Sequence, residues 1–386
     1  MVPNLRFREF NEQLIYTSFE KVIKLYRGSS PRPIINYVTT DENGVNWIKI
    51  GDMPSAGNKV FSCSEKITKD GSKKSRAVYK GDIILSNSMS FGKPYILGID
   101  GFIHDGWFVI RDYKKYLDKT YLCQLLSSDI VQNQYKSTAA GGVVKNISSD
   151  LVNSVKFHLP SIIEQRKIAR FLESIDQRIE TQIKIINDYK LLKKYITKSF
   201  IKQKGTSYLL SEIAELGRGR VISSAEISKQ KNPIYPVYSS QTSNNGVMGY
   251  LDNYDYEGEY ITWTTDGANA GTVYYRNGKF NCTNVCGILK IKNGYDAYYI
   301  SNILNCYTKK YVSTNLANPK LMNNVMANIK INLPSIERQK YFSNILKAIE
   351  YRVKIEQDIK LNLVKQKVFL LKSHLIKWDI DIINVK

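Results

Sequence analysis

The chain has 386 residues, enough for two or three domains that each bury a core of their own. Its 56 Lys and Arg residues outnumber 35 Asp and Glu residues, and the net charge of +21 with 11% aromatic residues favours a polyanionic partner, above all nucleic acid. No apolar run approaches the ~20 residues of a membrane span, and no apolar signal segment follows Met1. Composition therefore excludes a membrane protein and predicts a cytoplasmic one, although a generally Lys-rich proteome would also explain the charge.

Residues 1–158 are predicted to form a first globular domain. They are rich in Gly and Pro and contain short runs with strand character, such as Gly81-Asp82-Ile83-Ile84-Leu85. This texture of short strands and loops is typical of a mixed α+β domain.

Residues 159–205 are predicted to form one long amphipathic helix. Apolar residues recur at spacings of three and four and therefore share one face, while Arg and Lys occupy other positions. The apolar stripe consists of Ile168, Leu172, Ile175, Ile179 and Ile186. Such a stripe needs a partner that covers it.

Residues 206–332 are predicted to form a second globular domain that is a diverged copy of the first. Gly258-Glu259-Tyr260-Ile261-Thr262 follows 177 positions after residues 81–85, and residues 281–287 follow residues 104–110 at the same distance. We expect the two domains to share strands and to differ in their surface residues.

Residues 333–386 are predicted to form a second long helix whose start repeats that of the first. Leu159-Pro160-Ser161-Ile162 returns 174 positions later as Leu333-Pro334-Ser335-Ile336, and the register continues without a gap into both helices. The second apolar stripe consists of Leu346, Ile349, Val353, Ile359, Leu363 and Leu371. Pairing both stripes as an antiparallel coiled coil would give a rod of roughly 60 Å between the two domains, a pseudo-two-fold arrangement. In the alternative arrangement each helix packs on its own domain as a core element.

The side chains that catalytic and metal sites need are scarce and scattered. His104, His158 and His374 have no Cys or carboxylate pair at ligand or triad spacing, and no phosphate-binding GxxxxGK[ST] motif occurs. Cys282 and Cys286 form a CxxxC without a second pair, which favours two small strand residues over a zinc site. Five scattered cysteines argue against disulfides and for a reducing compartment.

One short segment is similar to a methyltransferase motif. Asn232-Pro233-Ile234-Tyr235 matches the type of Asn-Pro-Pro-Tyr loop with which amino-methyltransferases hold a flipped adenine. Such an enzyme also needs a parallel α/β domain with a Gly-rich cofactor turn, and Gly217-Arg218-Gly219 does not supply one. We interpret the segment as a turn that leads into a strand at Tyr235–Tyr238.

Polar loops that contain glycine are the candidate DNA contacts of both domains. Short donors and acceptors beside glycine approach phosphates closely, and Asn or Gln pairs with adenine through two hydrogen bonds. The recurrence of these loops in both halves favours a binding role over that of ordinary polar loops. The candidates in the first domain are Arg27, Ser29, Arg32, Ser86, Asn87, Ser88 and Lys93. The candidates in the second domain are Arg218, Arg220, Ser239, Ser240, Gln241, Asn244, Thr265, Asp266 and Asn269.

The order of these segments resembles the specificity subunit of Type I restriction-modification systems. The resemblance covers essentially the whole chain and rests on the alternation of domain and long helix and on a Leu-Pro-x-x-x-x-Gln motif at residues 159–165 and 333–339. Trp47-Ile48-Lys49-Ile50-Gly51-Asp52 and residues 81–83 in the first domain, and residues 265–273 in the second, add to it.

This resemblance implies a non-catalytic subunit that recognises a split, asymmetric DNA sequence. Each target recognition domain is expected to read one half-site, and the helices are expected to act as a ruler for the gap. The expected partners are double-stranded DNA, two modification subunits and the restriction subunits, with S-adenosylmethionine, ATP and Mg²⁺ held by those partners and not by this chain. The alternatives are a self-contained DNA methyltransferase or nuclease, and a basic coiled-coil scaffold whose DNA binding is electrostatic alone.

Overall fold

The computed structural model describes residues 6–54, 57–88, 92–139, 146–313 and 318–373. Its backbone contacts divide the chain into unit 1, residues 1–184 and 357–386, and unit 2, residues 185–356. Each of the two long helices therefore contributes residues to both units. None of the helices in the described ranges carries an apolar stretch long enough to cross a membrane.

Unit 1 is a mixed α+β fold. Its strands are Ile15–Ser18 (β1), Lys24–Arg27 (β2), Val38–Thr39 (β3), Val45–Ile48 (β4), Lys59–Val60 (β5), Glu65–Ile67 (β6), Arg76–Val78 (β7), Ile83–Ser86 (β8), Pro94–Leu97 (β9), Gly101–Ile103 (β10), Trp107–Arg111 (β11) and Lys156–Leu159 (β12). Its helices are Phe19–Val22 (α1), Lys69–Lys73 (α2), Lys119–Leu126 (α3), Asp129–Ala139 (α4), Ser149–Ser154 (α5) and the first part of Ile162–Ile201 (α6). The main sheet has the order β2-β11-β8-β9-β5, a second sheet has the order β3-β6-β4-β10-β7, and β1 pairs with β12.

Unit 2 follows the same plan. Its strands are Thr206–Leu209 (β13), Ala214–Arg218 (β14), Tyr235–Tyr238 (β15), Val247–Leu251 (β16), Tyr256–Thr264 (β17), Val273–Cys282 (β18), Cys286–Ile291 (β19) and Lys330–Leu333 (β20). Its helices are Leu210–Ile213 (α7), Ser224–Ser228 (α8), Ala297–Tyr307 (α9), Asn323–Ala327 (α10) and the first part of Ile336–Ser373 (α11). The sheet has the order β14-β19-β17-β18-β15-β16, and β13 pairs with β20.

The order of strands confirms that the two units are copies of one fold. The series β2-β11-β8-β9 in unit 1 corresponds to β14-β19-β17-β18 in unit 2, and the pair β1-β12 corresponds to β13-β20. The antiparallel pair β4-β6 corresponds to β15-β16, since β4 lies parallel to β10 as β15 lies parallel to the end of β18. The predicted strand at Tyr235–Tyr238 is confirmed as β15, and the turn before it is confirmed by hydrogen bonds from the Asn232 amide to Asp252 (2.8 Å) and from the Ile234 amide to Leu251 (3.1 Å).

The predicted register between the copies is wrong by one and two residues. In unit 1, Phe108 lies opposite Arg27 on one neighbouring strand and opposite Leu85 on the other. In unit 2, Gly287 lies in the same way opposite Arg218 and Trp263. Leu85 therefore corresponds to Trp263 and not to Thr262, and Phe108 rather than Ile110 corresponds to Gly287. Loops of unequal length shift the register from strand to strand. A shift of one residue matters because successive strand side chains point to opposite faces.

A buried glutamine joins each long helix to its own domain. In unit 1 the Gln165 side chain is only 1% exposed. Its Nε2 donates to the carbonyl oxygens of Tyr116 (2.9 Å) and Pro160 (3.0 Å), and its Oε1 accepts from the Asp118 amide (2.9 Å). Asp118 in turn caps the start of α3 by accepting from the Tyr121 amide.

Unit 2 repeats this joint. Gln339, 2% exposed, donates to the carbonyl oxygen of Pro334 (2.8 Å) and accepts from the amide of Asp296 (3.0 Å), which caps α9. Because a buried amide group must satisfy its donors and its acceptor together, the glutamine fixes the chain at this point. This is the physical reason why the Leu-Pro-x-x-x-x-Gln motif occurs in both copies.

The apolar stripes of the long helices are buried largely as predicted. Along α6, Ile168, Leu172, Ile175 and Ile186 are buried and Ile179 is half-buried. Along α11, Leu346 and Leu363 are buried and Ile349, Val353 and Leu371 are half-buried.

The assignment of Ile359 to this stripe is wrong, since its side chain is 38% exposed. The buried face passes instead through Glu356 and Leu363, seven residues apart, as the 3.5-residue period of a helix pair requires. The part of the predicted second helix beyond Ser373 lies outside the described residues.

Within each unit the two long helices contact each other. In unit 1 Lys367 pairs with Asp176 (2.6 Å), which also accepts from Gln124 Nε2 (2.9 Å). In unit 2 the rings of Phe200 and Phe342 stack at 3.8 Å, and Lys193 pairs with Glu350. Phe200 follows Lys193 along α6, whereas its partner Phe342 precedes Glu350 along α11. The two helices therefore run antiparallel in unit 2.

We expect Gln165→Met to destabilise unit 1 by about 2–4 kcal/mol, because it strands a buried amide and two carbonyl groups without partners. Hydrogen exchange followed by mass spectrometry should show faster exchange in peptides from α3 and the start of α6, with unit 2 unchanged. Gln177→Met, at an exposed position of the same helix, is the control and should leave exchange unaltered. Equal exchange in both variants would contradict the structural role of Gln165.

Candidate nucleic-acid interface

Three segments of unit 1 meet at one end of the main sheet: the end of β2, the loop after β8 and the turn before β11. Asp105 in this turn holds them together. Its carbonyl oxygen accepts from Arg27 Nε (3.4 Å) and Asn87 Nδ2 (2.8 Å), and its carboxylate accepts from Ser30 Oγ (2.8 Å) and Arg32 Nη2 (3.1 Å). The structure thus brings together predicted residues from two separate loops around one residue, Asp105.

Asp105 is a functional candidate that the sequence prediction missed. The hydroxyl of Ser30 lowers the pKa of Asp105, outweighing the effect of burial, and the Arg32 guanidinium lowers it further. The carboxylate is therefore charged and accepts hydrogen bonds only. It is 44% exposed, and a carboxylate at such a position can accept a hydrogen bond from the N4 amino group of cytosine. The sequence signal that could have identified Asp105 is its place in a Gly-containing turn between two strands.

The neighbouring His104 is a structural residue of this turn. Its Nδ1 accepts from the Gly106 amide (2.8 Å), a bond that requires the neutral ring. Burial lowers the pKa of His104, against a smaller opposite effect of Asp105. The imidazole is therefore neutral at physiological pH.

Close backbone contacts explain the Arg-Gly pair that occurs at the end of the first sheet strand in both units. A Cβ added at Gly28 would lie 2.0 Å from the carbonyl oxygen of His104, and one at Gly219 would lie 2.1 Å from that of Cys282. Only glycine fits there. The exposed side chains of Arg27 and Arg218 directly precede these glycines and are presented at corresponding places.

Three predicted DNA contacts are buried. Ser86 is 0%, Asn87 3% and Thr265 0% exposed. Asn87 bonds to the backbone of the neighbouring turn, as described above, and Thr265 Oγ1 lies 2.9 Å from the carbonyl oxygen of Val285 and 2.6 Å from a carboxylate oxygen of Asp266. These side chains shape the loops from inside, because polar groups on buried strand ends must bond to the domain itself. Their burial argues against direct contact with DNA, and their role in binding stays a prediction.

Arg220, another predicted DNA contact, is paired with two carboxylates. Its guanidinium bonds to Glu226 (2.7 and 3.1 Å) and to Asp255 (3.1 Å), and the bond to Glu226 is the main reason why the pKa of Arg220 is raised. Two carboxylates compensate its charge, so little of it remains for a phosphate. Arg218 keeps an exposed side chain and bonds to Asn323 Oδ1 (3.2 Å), a neutral partner.

Two loops of unit 2 contact each other. Asn269 Nδ2, in the loop after β17, donates to Thr242 Oγ1 (3.3 Å) in the loop between β15 and β16. That second loop is closed by a bond from the Ser239 amide to the Gly246 carbonyl oxygen (2.9 Å). Gln241 uses its side-chain amide inside the loop, on the carbonyl oxygen of Val247. Asn244 and Asn269 are exposed and lie in these adjoining loops.

The remaining predicted residues lie around these clusters. Ser29, Ser88, Ser239, Ser240 and Asp266 are half-buried, and Asp266 pairs with Lys320 at 3.6 Å. Lys93 is exposed but lines a separate cavity of about 270 Å³ together with Asp176 and Gln124. Lys93 therefore lies beside α6 and does not belong to the Asp105 cluster.

The described residues contain no group of three or more His, Cys, Asp and Glu side chains that could hold a metal ion. His374 and the segment Met89-Ser90-Phe91 of the first predicted loop lie outside the described residues.

Two copies of one α+β fold, each gathering polar loops at one end of its sheet, define a tandem nucleic-acid recognition protein.

The chain belongs to the family described as Type I restriction modification DNA specificity domain, whose model matches residues 24–188 and again residues 205–366. S.MpnORF365P of Mycoplasma pneumoniae, designated a type I specificity subunit, is 36% identical over 217 residues, 54% of this chain and 80% of the relative. The Type I restriction enzyme MpnII specificity subunit of the same bacterium is 42% identical over 146 residues, 37% of this chain and 43% of the relative. The crystal structure of a Type I S subunit from M. genitalium has the same fold, with a TM-score of 0.59 and 15% identity over 97% of this chain and 98% of that chain. The predicted family and the predicted role in DNA sequence specificity are confirmed.

We expect Asn269→Ala to relax base selectivity at one half-site only, because Asn269 lies in the loops of unit 2 and a good base contact carries about 1–3 kcal/mol of discrimination. Binding of duplexes with single-base changes in either half-site measures this. Arg218→Gln is the matched comparison: loss of a phosphate contact should weaken all sequences alike and reduce the salt slope by about one. Altered selectivity at both half-sites in Asn269→Ala would contradict the assignment.

Proposed function

We propose that this chain is the non-catalytic recognition subunit of a Type I restriction-modification complex and reads a bipartite, asymmetric DNA target. Unit 1 reads one half-site and unit 2 reads the other. The observation that carries this proposal is the repeated scaffold with different side chains at corresponding places. Asp105, a carboxylate, corresponds in the turn before the central strands to Asn284, an exposed amide. An acceptor-only group and a group that both donates and accepts favour different bases.

The candidate contacts with DNA fall into two kinds. Arg27, Arg32 and Arg218 are exposed cations suited to phosphates, and Asp105, Asn244 and Asn269 are exposed or half-exposed groups suited to base edges. The net charge of +21 strengthens association with any duplex, and the loops then select the sequence. Discrimination between sequences therefore comes from a few loop side chains.

The long helices are proposed to set the distance between the half-sites. The 3.5-residue burial period along α11 and the antiparallel contacts of Phe200 with Phe342 and of Lys193 with Glu350 support a coiled-coil spacer. A helix of 40 residues such as α6 is roughly 60 Å long. Such a rod matches the function of a ruler for a gap of non-specific base pairs.

The outer faces of these helices are proposed to bind the modification subunits. On α11 Leu361, Val364 and Val368 follow at spacings of three and four and are 49%, 37% and 42% exposed. On α6 Leu191, Leu192 and Tyr195 are 49%, 45% and 64% exposed. Neighbouring exposed apolar residues on a helix mark an interaction surface, and an amphipathic helix of a partner fits it.

Catalysis is proposed to belong to the partners. S-adenosylmethionine would be held by the two modification subunits, and ATP and Mg²⁺ by the restriction subunits. The work of this chain is binding and orientation: it brings the modification subunits to adenines within the two half-sites.

We expect deletion of four residues from each long helix to shorten the gap of the recognised target by about two base pairs. Four residues remove roughly 6 Å and slightly more than one full turn, so the apolar faces stay nearly aligned. At about 3.4 Å per base pair this equals the predicted change. Selection from a library of duplexes with variable gaps measures it, and an unchanged gap would contradict the ruler.

Deleting two residues from each helix is the control for this experiment. It rotates the flanking segments by about 200°, which turns the apolar stripes away from each other. We expect loss of target selection in this variant and not a gap shorter by one base pair. A shorter gap with full selectivity would show that helix pairing is not required.

A further inference from the structure

A buried cation lies beneath the recognition loops of unit 2. Arg276 is a residue of β18, and its side chain is only 6% exposed. Its guanidinium carbon lies 3.5 Å from the ring centroid of Tyr238 and 4.4 Å from that of Tyr274. Burial lowers the pKa of Arg276, and the nearby tyrosines and the Cys282 and Cys286 thiols offset this in part. The aromatic faces stabilise the charge where water does not reach it.

The guanidinium is tied to the loop between β15 and β16. Nη2 donates to the carbonyl oxygen of Asn245 (2.9 Å), and Nε donates to Thr262 Oγ1 (3.1 Å) on the neighbouring strand. One side chain thus joins the tip of the loop to the sheet. A hydrogen bond from a charged donor is stronger than one from a neutral donor. Its acceptor here is a backbone carbonyl oxygen, which remains in place when side chains of the loop are mutated.

The loop tip has a backbone that needs such support. Asn244, Asn245 and Gly246 have φ values of 47°, 57° and 85°, three consecutive residues in the left-handed region. For residues other than glycine this conformation is costly and persists where surrounding contacts impose it. The bond from Arg276 to Asn245 is such a contact, and it lies next to the exposed Asn244.

Unit 1 has an aliphatic residue at the corresponding place. Pro94 lies opposite Leu85 and Val273 lies opposite Trp263, so that β9 and β18 correspond residue by residue. Tyr274 then corresponds to Tyr95, and Arg276 corresponds to Leu97. Leu97 is 1% exposed and belongs to an apolar core. The scaffold therefore folds without a cation at this position, and a buried charge is costlier than an aliphatic side chain there.

We propose that Arg276 is a positioning residue that sets the base preference of unit 2. It does so by holding the loop of residues 239–246 in its left-handed tip conformation, which aims Asn244 and its neighbours at the half-site. Arg276 itself does not contact DNA. The inference rests on the proposed function and extends it, since it locates a determinant of specificity below the interface.

Two variants test this from opposite sides. Arg276→Lys keeps the charge but loses the planar guanidinium that bonds to Asn245 and Thr262 together. Gly246→Ala leaves Arg276 intact but places a Cβ 3.1 Å from its Nη2 at a φ of 85°. We expect each variant, assembled with its modification subunits, to lose roughly tenfold in discrimination against single-base changes in the unit 2 half-site, the effect of about one hydrogen bond.

The measurement is the rate of adenine methylation on duplexes with single-base changes in either half-site. Discrimination at the unit 1 half-site should stay unchanged in both variants, and Leu97→Met, the matched change in unit 1, should leave the unit 2 half-site unaffected. Unchanged discrimination at the unit 2 half-site in both variants overturns the proposal. So does loss of methylation at both half-sites in both variants, which would make Arg276 a residue of the fold alone. Absence of a bipartite target for the complex that contains the wild-type chain would instead refute the proposed function itself.

Discussion

The buried glutamine at the start of each long helix is the interaction on which the architecture depends. Gln165 and Gln339 bond at once to the proline turn that begins the helix and to the amide of the aspartate that caps a domain helix. Helix start, turn and domain are thereby one hydrogen-bonded unit. The proposed ruler requires helix ends that are rigidly attached to the domains, and a satisfied buried amide supplies such an attachment because any displacement leaves polar groups unpaired.

The loops at the ends of the sheets differ between the two units, although the strands that carry them correspond. Gly28 and Gly219 allow the same close approach of two backbone segments, so the ends of corresponding strands converge in both units. Upon this frame unit 1 places a carboxylate, Asp105, and unit 2 places amides, among them Asn269. Different hydrogen-bonding groups on one scaffold permit two unlike half-sites, and the buried Arg276 shows that the difference extends beneath the surface.

The repeat, the two α+β domains and the long helices were predictable from the sequence alone, because repetition and apolar periodicity are properties of the linear order of residues. Prediction from the sequence failed where contacts between distant segments decide. The fixed spacing of 177 misaligned Leu85 with Thr262, since loop lengths change from strand to strand. Ser86, Asn87 and Thr265 have the composition of a binding loop but are buried, and the charge of Arg220 is compensated by carboxylates that follow it by 6 and 35 positions. Burial and pairing of this kind belong to the fold and not to any local motif.

The central claim is that one chain specifies two half-sites, and adenine methylation mapping tests it most directly. DNA is taken from cells that express this chain with its modification subunit and from cells that express the modification subunit alone. The account predicts a single bipartite, gapped and asymmetric methylated sequence in the first sample and none in the second. Methylation that persists without this chain, or a contiguous target in its presence, would contradict the account.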